Sequence, residues 1–218
     1  MTTILNTIKL KKTEKAKLTD AKINVIEHKF IKIQKINFTV KALNEFVVFT
    51  SKNSVKSVLK NNIATQVKEK QVICVGQKTK RLLEQNGFKV VDYADYADDL
   101  GLLIKDKYVN KSFTFFSGNI RRNTLPYVFN ENNIKWNEYV VYETTLNPKK
   151  IEEQVDGILF FSPSAIESYL IENEIKNEIC FCIGTTTADV LKNKTKNIKI
   201  ASPTIVESVI DEVIKYYK

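Results

Sequence analysis

Residues 47–59 read VVFTSKNSVKSVL, and residues 158–170 read ILFFSPSAIESYL. Both run an apolar strand into a hydroxyl-bearing turn and open a helix there. The plan returns at residues 72–90, VICVGQKTKRLLEQNGFKV, against residues 180–198, CFCIGTTTADVLKNKTKNI. The order of the blocks is kept, and the offset shortens by only three residues between the Ser51–Ser162 pair and the Gly76–Gly184 pair. The chain thus carries a loose copy of itself. The repeat predicts two similar domains with polar turns lining the space between them, a place for a sizeable polar ligand.

Outward from these blocks, strand and helix patterns alternate, which predicts an α/β fold with parallel sheets. Strands are expected near 2–6, 22–27, 46–50, 71–75, 88–92, 112–116, 156–161, 180–183 and 197–201. Helices are expected near 12–19, 38–44, 52–59, 77–86, 96–106, 122–133, 163–172, 185–193 and 203–217. Residues 28–36 (HKFIKIQKI) and 137–145 (NEYVVYETT) are extended segments that break the alternation. They bracket the first repeat copy, so they predict a two-stranded β connector acting as a hinge. The expected organisation is a discontinuous α/β domain of residues 1–28 plus 146–218 and an inserted α/β domain of residues 36–138. Connector strands at 29–35 and 139–145 join them, with a cleft between the two domains.

At 218 residues the chain is long enough for two domains, and its 43% hydrophobic content can fill two cores. No apolar run approaches the roughly 18 residues a membrane span needs. Residues 1–17 are polar and Lys-rich with no signal-like apolar stretch, so a cytoplasmic protein is expected. Cys74, Cys180 and Cys182 fall in apolar strands, and with a single His in the chain they read as free buried thiols rather than metal ligands. The net charge is +9. Its Lys residues are scattered, without the dense blocks or signatures of nucleic-acid readers, so an anionic small molecule is the better match. Only Arg81, Arg121 and Arg122 carry the guanidinium fork that grips carboxylates in a bidentate way. The adjacent pair leaves two readings open, carboxylate binding or a solvated helix face.

Ligands of open parallel sheets bind beyond the carboxyl ends of the strands, where helix N-termini offer free N–H groups. Six turns qualify: Thr50-Ser51, Gly76 to Thr79, Ser117-Gly118-Asn119, Ser162-Pro163-Ser164, Gly184 to Thr187 and Ser202-Pro203-Thr204. Helix capping alone accounts for the hydroxyls of any single turn; six turns from two domains point to anion binding. No Walker, dinucleotide, nucleophile-elbow or metal-ligand spacing occurs, and no acid pair reads as a general acid/base dyad. No cofactor and no metal are expected, and binding geometry would be the main catalytic device. Tyr142, on the second connector strand, is the side chain placed for proton work; packing against a neighbour is its other reading. A non-catalytic, hinge-closing binding protein for an anionic small molecule would need the same turns without Tyr142.

These residues resemble the uroporphyrinogen-III synthase family. The resemblance rests on FTSKNSV, VGQKT, the stretch SGNIRRNTLPYVFNENNIKWNEYVVYET, and FFSPSAIESYL, IGTTTADVL and ASPTIVES. Residues 1–30 match poorly; where many members have an Arg-containing first turn, this chain has ILNTIK, with Lys9 as a substitute. The resemblance implies a cofactor-free lyase that closes linear hydroxymethylbilane to uroporphyrinogen III, losing water and inverting ring D through a spiro intermediate. It implies Tyr142 as the connector tyrosine assisting hydroxyl departure. It also implies substrate contacts at Thr50, Ser51, Gly76, Thr79, Ser117, Gly118, Asn119 and Arg122 in one domain, and at Ser162, Ser164, Gly184, Thr186, Thr187 and Thr204 in the other. The implied partner is a linear tetrapyrrole polycarboxylate handled by a monomer, without nucleic acid or membrane.

Overall fold

A computed structural model describes all 218 residues, Met1–Lys218. It divides into two compact units, residues 1–32 with 145–218, and residues 33–144. In chain order, β1 (Thr3–Asn6), α1 (Lys12–Asp20) and β2 (Asn24–Glu27) begin the first unit. β3 (Ile31–Lys35) crosses into the second unit, which follows with β4 (Phe46–Phe49), α2 (Lys52–Val58), α3 (Ala64–Lys68), β5 (Gln71–Val75), α4 (Gln77–Gln85) and β6 (Lys89–Ala94). It continues through α5 (Ala97–Lys107), β7 (Phe113–Gly118), α6 (Thr124–Glu131) and β8 (Trp136–Leu146). The first unit resumes with β9 (Gly157–Phe160), α7 (Pro163–Tyr169), β10 (Ile179–Cys182), α8 (Thr185–Asp189), β11 (Ile198–Ile200) and α9 (Val206–Tyr217).

The sheets run β11-β10-β9-β1-β2 and β3-β8-β7-β4-β5-β6. From β1, β2, β9, β10 and β11 in one to β4 through β8 in the other, the registered pairs are parallel. Strands covered on both faces must be apolar throughout, and β4 (FVVF) and β9 (GILF) are. Alternation then splits their side chains between two cores. Val47 and Phe49 pack with α2 and α4, whereas Phe46 and Val48 pack with α5 and α6. In the first unit Ile158 and Phe160 join α7 and α8, and Leu159 joins α1 and α9. Each unit is therefore a helix–sheet–helix sandwich.

Cys180 and Cys182 share the α7/α8 face of β10 and Cys74 faces α2 and α4, all three fully buried. Burial among apolar groups pushes each thiol up to about 12. Since the thiolate is the reactive form, the native protein should leave a disulfide-exchange reagent near pH 8 unreacted over minutes. Denaturant should then release three thiols at once. A fast-reacting native thiol would contradict this packing.

The expected elements need correction at several places. Residues 38–44 form no helix; they are an irregular strap whose backbone is held by side chains. The Tyr139 hydroxyl accepts from Lys41 N and Ala42 N, Asn61 Nδ2 donates to Phe38 O, and Thr114 Oγ1 accepts from Asn44 N. These partners satisfy groups that a helix would otherwise pair internally. In place of a loop, α3 forms where Ile63 and Val67 reach the core. Residues 139–145 are strand and lie within the longer β8, which pairs with β7 from Trp136 to Tyr142 before continuing. Two helices are also shorter than expected. After Asp189, α8 gives way to i→i+3 turns closed by Leu191 N to Ala188 O and Lys194 N to Leu191 O. Likewise α9 begins only at Val206, behind a cis Ser202–Pro203 bond and a tight Ile205 N to Pro203 O contact.

Candidate functional site

In the second unit, parallel register brings three turns to one sheet edge. Phe49 lies opposite both Phe116 and Cys74, so Thr50-Ser51, Gly76 and Ser117-Gly118 leave adjacent strands side by side. Ser51 caps α2, its Oγ accepting from Asn53 N at 3.1 Å; its own O–H remains free to donate. Gly76 opens α4 at φ 85°, a left-handed conformation that glycine adopts without strain. Thr79 N closes that turn on Gly76 O at 2.9 Å, and the Thr79 side chain is buried beneath it.

The first unit repeats this chemistry at the ends of β9, β10 and β11. Ser162 caps α7, accepting from Ala165 N at 3.2 Å, with Ser164 Oγ 3.2 Å away. Gly184 caps α8, and Thr187 N closes on Gly184 O at 3.1 Å with its side chain buried. Thr186 is half-buried and Thr204 exposed; Thr204 packs close enough to Gly184 that an added Cβ would lie 3.3 Å from its methyl. The Gly–Thr turn is thus closed by the same hydrogen bond in both copies, although Gly76 is left-handed and Gly184 extended at φ −178°. Thr79 and Thr187 are both buried. At the atypical first turn Lys9 is exposed, while Asn6 and Thr7 are buried and Thr7 Oγ1 donates to Leu159 O at 2.7 Å.

Beside β7 the ladder carries a bulge: Ser117 pairs with Val140, but Gly118 pairs with Tyr142, leaving Val141 extra. A bulge re-aims the following side chain, and here it lays the Tyr142 ring over Gly118. A Cβ on Gly118 would stand 2.7 Å from the phenol oxygen and closer still to the ring. Glycine is needed there for space. The ring is 8% exposed and belongs to the core with Val47, Phe49 and Phe116, while its hydroxyl makes no hydrogen bond to the protein.

The β7–α6 loop contains residues whose roles the sequence did not disclose. Arg121 grips Glu138 through Nε and Nη2 at 2.6 and 2.8 Å and also reaches the Asn123 side chain. Burial would raise the Glu138 carboxyl, but the Arg121 hydrogen bond and charge hold it below the usual range. Arg121 is therefore structural, whereas Arg122 is exposed and has no ion-pair partner. It precedes α6 by two residues rather than opening it. Asn119 spends its carboxamide on β8: Oδ1 accepts from Thr144 N at 2.7 Å and Nδ2 donates to Thr144 O at 3.2 Å. Each of its two polar atoms thus holds one partner on Thr144. No group of three or more His, Cys, Asp or Glu residues is arranged to hold a metal ion, and no helix is long and apolar enough to cross a membrane.

Two parallel-sheet units with matched Ser and Gly–Thr turns at their strand ends define a tandem α/β protein equipped for a polar ligand. Among solved structures, uroporphyrinogen-III synthetase from Helicobacter pylori is similar, with a TM-score of 0.73 and 18% identity over 99% of this chain and 100% of that one. A mutant uroporphyrinogen III synthase from the extremely thermophilic bacterium Thermus thermophilus gives 0.73 at 13% identity over the whole of both chains. The wild-type Thermus enzyme in another crystal form gives 0.53 at 13% identity, covering 100% of this chain and 98% of that one. No curated protein matches the chain. The family model described as Uroporphyrinogen-III synthase HemD matches residues 12–211. The chain belongs to the uroporphyrinogen-III synthase family, cyclising lyases of haem biosynthesis.

Proposed function

We propose that this chain converts hydroxymethylbilane to uroporphyrinogen III with Tyr142 as the group that assists hydroxyl departure. The observation that supports this role is the phenol oxygen itself. A tyrosine so deeply packed ordinarily finds a hydrogen-bond partner, yet this hydroxyl has none in the protein and lies against Gly118 at the end of β7. A neutral phenol there can donate to a leaving hydroxyl and pass a proton with it. The electron-rich pyrrole expels the hydroxyl; the protein's task is to hold the chain so that attack falls on the substituted carbon of ring D.

The substrate's acetates and propionates call for donors and positive charge. Ser51, Ser162, Ser164, Thr186 and Thr204 would supply hydroxyls, the turns at Thr50, Gly76, Gly118 and Gly184 would supply backbone N–H groups, and the +9 field steers the anion in; Ser117 is buried beneath its turn. Thr79 and Thr187 would hold two of these turns in shape from beneath. Arg122 is the unpaired guanidinium on that side of the second unit. Arg122→Gln is expected to raise KM several-fold while kcat changes little, because a ground-state carboxylate contact is lost. An unchanged KM at low salt assigns Arg122 to the solvated surface. A monomer in the cytoplasm without affinity for nucleic acid completes the reading; sedimentation and titration with random-sequence DNA test the first and last of these.

The deciding assay supplies freshly generated hydroxymethylbilane and separates type III from type I product by chromatography. Type I alone, at the rate seen without protein, would defeat the enzyme reading in favour of a hinge-closing binding protein.

A further inference from the structure

The β7–α6 loop is laced to β8 on both sides of Tyr142. Ahead of it, the Arg121 guanidinium holds Glu138 in a bidentate pair. At it, Asn119 N donates to Tyr142 O at 3.2 Å. Beyond it, the Asn119 carboxamide copies a missing ladder partner, accepting from Thr144 N and donating to Thr144 O. The registered β7–β8 pairing ends at Gly118–Tyr142, so past the bulge β7 offers no further rung, and on that side β8 is held by Asn119 while β3 flanks its other edge.

We infer that Asn119 is a positioning residue for the reaction: its paired hydrogen bonds to Thr144 hold the bulge that aims the Tyr142 hydroxyl. This rests on the reading of Tyr142 given above. The physical reason is leverage. The phenol oxygen lies several bonds from a backbone that pleating alone does not fix, because the bulge has removed one rung of the ladder. In the bulged conformation Asn119, Tyr142 O and the Thr144 amide are all satisfied together. Leaving the Thr144 N–H and C=O without partners lets the strand shift. A displacement of about 1 Å in a catalytic group is enough to cost on the order of 10²-fold in rate. Thr144 is itself 9% exposed, so water substitutes poorly for the lost carboxamide.

A double-variant cycle on the full chain tests this, reading kcat, KM for hydroxymethylbilane, the type III fraction and the thermal midpoint. Asn119→Ala is expected to lower kcat about 10-fold, a partial misplacement on that scale, with KM little changed. In a Tyr142→Phe background the same substitution should cost nothing further, because the group it positions is gone. Full multiplication of the two losses, or wild-type kcat in Asn119→Ala, overturns the positioning role while leaving Tyr142 in place. Wild-type kcat in Tyr142→Phe alone removes the phenol reading and this inference with it. Should Asn119→Ala not fold, Asn119→Asp, which keeps the acceptor for Thr144 N and loses the donor, is carried through the same cycle with a smaller loss expected. Failure of both variants to fold assigns Asn119 to architecture alone and overturns the inference.

Discussion

Gly118→Ala should both destabilise the protein and disable it. The new methyl would stand 2.7 Å from the Tyr142 hydroxyl and nearer still to its ring, and the ring is wedged among Val47, Phe49, Phe116 and Val141. It has nowhere to retreat except outward. Overpacking of this kind costs about 1–3 kcal/mol, a fall in thermal midpoint on the order of 5 °C for a chain of this size. Turnover should fall further than stability explains, by about 10²-fold, because the phenol is displaced by more than an ångström. Calorimetry and the two-isomer assay at a temperature well below the transition separate the two losses. Adding Tyr142→Leu should recover part of the midpoint, since the clash is removed, and none of the turnover. Wild-type activity in Gly118→Ala would mean that the phenol position is irrelevant to the chemistry.

Tyr142→Phe isolates the hydroxyl. The ring stays, its packing stays, and no protein hydrogen bond is lost, so the thermal midpoint should be unchanged. If the hydroxyl assists departure of the leaving group, kcat falls about 10-fold to 100-fold, less than an indispensable general acid because the pyrrole itself drives expulsion. KM should stay near the wild-type value. The product should remain type III, since the turns and not this residue set the fold of the substrate. Full turnover would make Tyr142 a core residue that reaches the surface by accident of size.

Much of this was legible in the chain because burial and capping leave local marks. FVVF and GILF are apolar on both faces, as strands under two helix layers must be, and Ser51 and Ser162 stand where a helix needs its first donor satisfied. What was not legible depends on residues far apart in sequence. The 36–45 strap is irregular because Asn61, Thr114 and Tyr139 come to it from elsewhere. Nothing in the adjacent pair Arg121-Arg122 tells which one meets Glu138. Asn119 reads locally as a turn former, and its carboxamide is diverted to Thr144, 25 residues on. The extra residue at Val141 is equally silent, since VVYET alternates no differently with a bulge than without one.

The placement of β1 has a consequence for how the chain comes into being. It lies between β2 and β9, pairing Leu5 with Ile158, so β1 waits for its second partner, which follows about 150 residues later. The unit of residues 33–144 is contiguous and has every strand of its own core in hand long before then. Domains fold as units during synthesis, and closing so long a loop is a late, entropically costly step. The emerging chain therefore acquires its second unit first, with one edge of β1, the edge away from β2, left unpaired until β9 leaves the ribosome.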